Sequence, residues 1–360
     1  MSESGPQMPL DLVTGGTGLT GRSLVPALLA AGRQVRVLDL VAYPDSRVES
    51  VVGDVRDAAL AERACQGVDT VFHTVALVSQ HPGHAARLHD VNVGGTRVML
   101  EASRRARVAR FVFTSSMDVV FDGTAISNGD ESIPYPAHFL DDYGHTKSLA
   151  EKAVLAANDP NGLATCSLRA TGIFGPHDRN RFPVALDYIR RNGFISMGNG
   201  QARFSHVYVD NLAHAHVLAA RALKPGSPVA GRAYFITDHE PRNFFDFIEP
   251  YFAELGIKRS RFAMPASLAW LTACAVEGLY AVLGRFFQKQ PLLTRYTVAA
   301  TCRDFWFNHA AATRDFGYRP IVSADEAYTR TMAWFRDYDR QRTAQPPAST
   351  GKSAVTTKAA

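Results

Sequence analysis

The chain has 360 residues, enough for one large domain or two coupled ones. Hydrophobic residues make up 46% and charged residues 20%, ordinary values for a soluble globular protein, which set aside fibrous and low-complexity classes. The net charge is +5, but basic residues such as Arg104, Arg105, Arg107 and Arg110 are scattered, so a nucleic-acid patch is set aside in favour of a solvated helix face.

Leu10–Thr14 reads as a first strand and is followed by a glycine-rich turn. Leu19–Ala31 has helical apolar spacing, and Gly32 is a natural stop. Val35–Leu40 and Val48–Val52 are short β-rich runs around a turn. Asp57–Gln66 looks helical, Asp69–Val75 is a fourth strand, and Ala86–Arg107 a long helix. Arg110–Thr114, the helix Asp141–Asn158 and the strand Ala164–Arg169 continue the rhythm. Strands alternating with helices imply a parallel sheet with right-handed crossovers, and the short apolar runs fit strands buried on both faces. The fold class is therefore α/β: a Rossmann-type doubly wound parallel sheet with a smaller C-terminal substrate lobe. The rhythm weakens near residue 175. Residues 8–175 are read as a dinucleotide-binding domain and 176–338 as a lobe interleaved with the main sheet through runs such as Val207-Tyr208-Val209 and Tyr234-Phe235-Ile236.

Met264–Phe287 is notably apolar and approaches membrane-spanning length, but Pro265, Glu277 and Gly278 argue against a simple spanning helix. A buried or substrate-covering helix pair is the first expectation. Peripheral contact with a membrane surface, using Trp270, Tyr280 and Arg285, is the second. The tail 341–360 is rich in Ala, Thr, Pro and Ser and reads as disordered. Met1–Pro9 lacks the apolar core of a signal peptide, so a cytoplasmic location is expected. Cys65, Cys166, Cys274 and Cys302 form no metal-type or redox-type pair and read as buried small residues in a reducing compartment. His214 and His216 are not co-facial on their helix, and no metal site is expected.

The chemistry concentrates in three places. Thr14-Gly15-Gly16-Thr17-Gly18-Leu19-Thr20-Gly21 links a strand to a helix. Its glycines permit a tight turn and close approach of a pyrophosphate to free helix amides, which makes it a dinucleotide site. Asp39, ending the second strand, suits the two ribose hydroxyls of the adenosine and repels a 2′-phosphate, so NAD is expected over NADP. Asp54-Val55 is placed to reach the adenine ring, and Thr74-Val75-Ala76, ending the fourth strand, to flank the cofactor. Thr114-Ser115-Ser116 ends the fifth strand, and Ser116, with Ser115 as runner-up, is placed to bond a substrate oxygen. Tyr143 and Lys147 are four residues apart and share a helix face. A phenol is a poor base at neutral pH, and a nearby ammonium is expected to lower its pKa and make the pair a proton-transfer device. His145 faces elsewhere on that helix.

These motifs resemble, in order, those of the extended short-chain dehydrogenase/reductase superfamily; Asn92-Val93-Gly94-Gly95-Thr96 also fits. More narrowly the chain resembles the 3β-hydroxysteroid dehydrogenase family, including the sterol-4α-carboxylate 3-dehydrogenases. That likeness rests on Val71-Phe72-His73-Thr74, Phe113-Thr114-Ser115-Ser116, Gly172-Ile173-Phe174-Gly175-Pro176, Gly198-Asn199-Gly200, Val207-Tyr208-Val209-Asp210-Asn211, Ala233–Asp238 and Phe316-Gly317-Tyr318. It spans roughly residues 10 to 338. Two departures stand out. Arg169 is followed by Ala170 where many relatives have proline, and Val75 replaces a usual alanine.

The resemblance implies catalysis by Tyr143, Lys147 and Ser116. It implies NAD held by Gly15, Gly18, Leu19, Gly21, Asp39, Asp54, Val55, Val75, Ala76, Asn92, Thr114, Tyr143, Lys147, Ala170, Gly172 and Ile173. Lys147 would bond the nicotinamide ribose, and Asn92 would help position Lys147 through water. The expected reaction is oxidation of a 3β-hydroxyl on a steroid or sterol to the 3-ketone, with loss of CO2 if a 4α-carboxylate is present. A Δ5 to Δ4 isomerisation follows in other relatives. Alternatives are reduction of a long-chain 2-alkyl-3-oxo acid, nucleotide-sugar epimerisation, and a non-catalytic NAD-sensing protein. Dehydratases of the superfamily carry an Asp-Glu pair after the strand-five hydroxyl; Met117 and Asp118 stand there, an incomplete pair. The expected partners are a hydrophobic small-molecule substrate, a membrane surface at 264–287, and a second copy of the chain docked through the Tyr/Lys helix.

Overall fold

The computed structural model describes residues 8–179, 181–283, 286 and 291–344. The strands are β1 (Leu10–Thr14), β2 (Gln34–Asp39), β3 (Glu49–Val52), β4 (Val68–His73), β5 (Arg110–Ser116), β6 (Ile126–Gly129), β7 (Ala164–Ala170), β8 (Gly172–Phe174), β9 (Phe194–Met197), β10 (His206–Tyr208), β11 (Arg232–Ile236), β12 (Arg259–Met264) and β13 (Phe305–Phe307). The main helices are α1 (Leu19–Ala30), α2 (Ala58–Cys65), α3 (Ala85–Leu88), α4 (Thr96–Arg105), α5 (Asp142–Ala156), α6 (Phe182–Asn192), α7 (Val209–Ala222), α8 (Phe244–Ala253), α9 (Ala266–Leu283), α10 (Arg295–Cys302), α11 (Ala310–Phe316) and α12 (Ala324–Ala344).

Seven strands form one parallel sheet in the order β11-β7-β5-β4-β1-β2-β3. Successive side chains of a strand face opposite sides, and both sides of this sheet are covered. Val13, Val37, Phe72 and Val112 enter one core with residues of α1 and α7. Leu12, Leu38, Val71, Phe111 and Phe113 enter the other with α2, α4 and α5. That two-sided burial is why the strands read as unbroken apolar runs. The order of strands reverses between β1 and β4, and in such sheets ligands bind beyond the carboxyl ends at that switch point. The register gathers the ends of β1, β2, β4, β5 and β7 there: Thr14 pairs with Leu38 and His73, and Ser116 with Ala170.

Residues after 175 return α7 and β11 to this body. The rest build the lobe around Phe182, Leu186, Tyr251, Phe252 and Phe335. Parallel pairing of β13 with β6, and Phe305 stacked on Phe121 at 3.9 Å between centroids, fasten the lobe to the segment after β5.

The structure differs from the sequence expectations in five places. The fourth strand stops at His73, so Thr74, Val75 and Ala76 lie in the loop beyond it. The long helix is split by a π-helical stretch, His89–Gly95, where Gly95 sits so close to Val55 that a Cβ would approach Val55 Cγ2 to 2.9 Å; π segments are frequent at functional sites. Over its described residues the apolar 264–287 segment is not a buried helix pair: α9 is a single helix in which only Ala269 and Ala273 are buried. Helix α12 runs on through Ala344, and 345–360, most of the expected disordered tail, lie outside the described residues. Of the cysteines, Cys65 and Cys166 are buried, but Cys302 is half-buried and Cys274 is exposed on α9.

Candidate active site

The glycine turn forms the cradle that its sequence suggests. Gly15 has φ +73°, and a Cβ there would stand 3.0 Å from the Val75 backbone. A Cβ on Gly21 would come within 2.4 Å of Gly15 O, so the helix can approach the turn only without a side chain. Gly18 begins α1 with no side chain capping the amides, leaving the helix N-terminus open to an anion. Leu19, the first helical residue, packs its half-buried side chain against the lobe core. Asp39 Oδ2 accepts from the amide (2.9 Å) and hydroxyl (2.8 Å) of Thr17, which fixes the carboxylate at the rim of the cradle. Arg22 braces the same turn from α1 by donating to Thr17 O at 2.9 Å. A dinucleotide fits these residues.

Around the cradle, Asp54 is bound by Arg56 at 2.7 Å, and Val55 is buried against Gly95. Asn92 pins the loop after β4 to α5: its Oδ1 accepts from Leu77 N at 2.8 Å and its Nδ2 donates to Leu77 O (3.0 Å) and Thr146 Oγ1 (3.2 Å). Asn92 therefore touches the neighbour of Lys147. Ala170 ends β7, and, two residues on, Gly172 and Ile173 start β8, which pairs with β10 in a small sheet of its own.

Ser116 and Tyr143 meet at the carboxyl end of β5, where Lys147 is bonded to Thr114 O. Asp141 caps α5 by accepting from Gly144 N at 2.9 Å, which sets the first turn that carries Tyr143. Lys147, one turn on, is buried; its Nζ donates to Thr114 O at 2.6 Å and lies 4.0 Å from the centre of the Phe113 ring. His216 Nδ1 lies 2.8 Å from Leu212 O and so carries the proton there; its Nε2 then accepts from the Thr114 hydroxyl at 2.7 Å. Burial keeps this imidazole neutral, its pKa pushed down to about 4. Ser115 faces away, toward Glu151, whereas Ser116 faces Tyr143 and donates from Oγ to Asp118 Oδ2 at 2.6 Å.

The electrostatics correct one expectation. The pKa of Tyr143 is raised rather than lowered: burial comes first and the Asp118 carboxylate second, and the hydrogen bond with Ser116 opposes them without outweighing them. Lys147 pays the same burial cost, its pKa pushed down to about 7 although Glu151 opposes the shift. Burial acts on both residues, and the Lys147 ammonium, bonded to Thr114 O, is not among the groups that act on Tyr143.

Several site residues escaped sequence reasoning. Tyr296, on α10, donates to Asp118 Oδ1 at 2.6 Å. Glu151, one turn beyond Lys147, is fully buried and holds Arg169 (2.8 Å), Tyr135 (2.7 Å) and Ser167 (2.7 Å). The four-residue spacing to Lys147 was a usable signal for Glu151; Tyr296 offered none. A cavity of about 470 Å³ opens beyond Asp141 and Tyr296, lined also by His81, Phe139, Glu277 and Arg295; Ser116, Tyr143 and Lys147 are not among its lining residues.

A doubly wound sheet with this glycine cradle and a Tyr-Lys-Ser wall defines an oxidoreductase of the extended short-chain dehydrogenase/reductase class. The sequence model of the 3-beta hydroxysteroid dehydrogenase/isomerase family matches residues 12–266, and the chain belongs to that family. A 3 beta-hydroxysteroid dehydrogenase/Delta 5→4-isomerase of Mycobacterium tuberculosis is 37% identical over 96% of this chain and 95% of its own. A decarboxylating sterol-4-alpha-carboxylate 3-dehydrogenase of Mus musculus is 35% identical over 90% of each chain. Among solved structures, an epimerase from Methanothermobacter thermautotrophicus shares the fold, with TM-score 0.72 and 21% identity over 94% of this chain and 95% of that one. So does a short-chain dehydrogenase/reductase superfamily protein from Agrobacterium tumefaciens with bound NAD, at TM-score 0.68 and 22% identity over 93% of this chain and all of that one.

Proposed function

We propose that this chain oxidises the 3β-hydroxyl of a steroid or sterol to the 3-ketone, with NAD as cofactor. The observation that carries the reading is the joining, at one sheet edge, of Ser116 and Tyr143 to a dinucleotide cradle whose rim holds Asp39. The names of the two relatives described above support the substrate class. NAD, when bound, accepts the hydride of the carbinol carbon and brings a positive charge to the site. Gly15, Gly18 and Gly21 hold its pyrophosphate, and Asp39 its adenosine ribose. Ser116 holds the reacting oxygen, Tyr143 takes the hydroxyl proton, and Lys147 steadies the phenolate. Asp39 favours NAD because a 2′-phosphate would face its carboxylate with no arginine in Leu40 or Val41 to offset it.

We also infer that α9 rests on a lipid surface. It is 18 residues long with a mean hydropathy of 1.5, and it exposes Leu268, Leu271, Leu279, Val282 and Leu283 while Glu277 and Ala281 line the cavity. An apolar substrate could then leave a membrane close to the site. Flotation with phospholipid vesicles tests this: the wild type should float and Leu271→Glu/Val282→Glu should not, and equal behaviour contradicts it.

The reaction is tested by NADH absorbance with a panel of 3β-hydroxysteroids, with NADH or NADPH and 2-alkyl-3-oxo acids, and by sugar interconversion with nucleotide sugars. NADH formed from the steroids alone supports the reading; activity only with another class overturns it.

A further inference from the structure

Resting on the steroid-oxidising reading above, we propose that Asp118 and Asp141 are specificity-determining residues that reject a carboxylate on the carbon next to the reacting carbinol, so that the chain takes uncharged 3β-hydroxysterols. Asp118 is 7% exposed and both its oxygens are occupied by hydroxyl donors, Ser116 Oγ and Tyr296 OH, each at 2.6 Å. Ser116 Oγ is also the group assigned to the reacting oxygen. The carboxylate is therefore the direct hydrogen-bond partner of the group assigned to the substrate oxygen, on the reacting side of the sterol where a 4α-carboxylate would enter. Asp141 lines the cavity together with Tyr296, Asp142 and Glu277.

Arg295 stands on the same cavity wall, but among the described residues no cation enters the environment of Asp118 or Asp141. The environment of Asp118 is set by burial and by its bonds to Ser116, Tyr296 and its own backbone. That of Asp141 is set by burial, by Asp118, Asp142 and Glu277, and by the Gly144 amide. Lys147 is bound to Thr114 O and answers to Glu151. Arg295 is held by Glu277 at 2.5 Å, and Arg303 donates to Gly123 O. Arg181 donates to Gly172 O at 3.0 Å and lies over Phe204, Phe244 and Phe247. His145 stacks on Phe139 at the outer wall, with His138 beside it along the cavity. Like charges in a buried site repel strongly, and an unmatched charge is an effective way to refuse a near-identical ligand. Burial and the Asp118 charge push the Asp141 carboxyl up to about 7, so above that pH Asp141 itself is ionised.

The test compares a 3β-hydroxysterol with its 4α-carboxy derivative in wild type, Asp118→Asn and Asp141→Asn. Both kcat/KM with NAD and binding of each sterol to the NAD-loaded protein are measured. The wild type should prefer the uncharged sterol at least about tenfold, and each variant should narrow that ratio several-fold, mainly through KM for the carboxylated sterol. Asparagine caps a helix as well as aspartate does, so Asp141→Asn decides the matter if Asp118→Asn fails to fold. A wild type that uses the carboxylated sterol equally well, or ratios unchanged in the variants, overturns the proposal. If neither sterol is oxidised, the steroid-oxidising reading fails by itself. Binding then decides the charge rule: preference for the uncharged sterol supports it, and equal binding overturns it.

Discussion

Two groups of buried charge flank the same helix, and they are treated in opposite ways. On the sheet side of α5, Glu151 is matched: Arg169 lies 2.8 Å away, and Tyr135 and Ser167 occupy its remaining lone pairs. Burial alone would push the Glu151 carboxyl up, but Arg169 and the hydroxyl donors outweigh it, and its pKa falls. Nearer the start of α5, Asp118 meets two hydroxyls and its own backbone, Asp141 meets Asp118, and Lys147 meets a carbonyl oxygen and a ring face, with Glu151 only partly offsetting its burial. Their pKa values all move toward the neutral form. A matched buried pair holds the strand and helix in place. Unmatched groups cost stability and leave charge available to chemistry, which is where perturbed titrations gather.

The sharpest way to break this contrast is Lys147→Met. If the ammonium serves the chemistry, kcat/KM should fall about a thousandfold. The sign for stability is the reverse. A lysine whose folded pKa lies near 7, below its ordinary value of 10.5, disfavours the folded state most below pH 7, and the penalty fades as pH rises between those values. The variant's Tm at pH 7 should therefore equal or exceed that of the wild type; a drop of several degrees would place Lys147 in the scaffold. Glu151→Ala should do the opposite, costing about 3–5 kcal/mol because Arg169 is left buried without its partner. Chemical denaturation measures it. In the wild type this pair's stabilisation is present above pH 4.5, the ordinary glutamate value, and disappears as pH falls through the lower folded value.

A smaller effect is expected at Asp39, which lies outside both groups. Asp39→Ala should narrow the preference for NAD over NADP by about tenfold, one charge contact's worth, leaving Tm and the pH profile alone; initial rates with each cofactor decide. The smallest effect sharpens the cavity side. Asp141→Asn removes a carboxylate that raises the Tyr143 pKa. The acid limb of kcat/KM for alcohol oxidation should move to lower pH by up to about one unit, worth about 1.4 kcal/mol. A shift upward would contradict the assigned direction.

Much of the site was legible because it is local. The glycine turn, Asp39 and the Tyr143/Lys147 spacing each lie on one element or at one strand end, where periodicity of side chains settles direction. The Tyr296–Asp118 bond spans 178 positions and exists only once the lobe has folded over β5. The rise in the Tyr143 pKa was missed for a related reason: burial is a tertiary quantity, and sequence shows only the neighbouring lysine. The exposure of α9 was equally hidden, since the same apolar composition suits a core helix or an uncovered one.

Tyr143→Phe, assayed with NAD and a 3β-hydroxysteroid and checked for NAD binding, bears most directly on the central claim that the Tyr143 hydroxyl removes the proton of the substrate alcohol. The account predicts NAD affinity within a factor of a few of wild type and no measurable NADH. A variant that forms NADH and the 3-ketone at near-wild-type rates would contradict it.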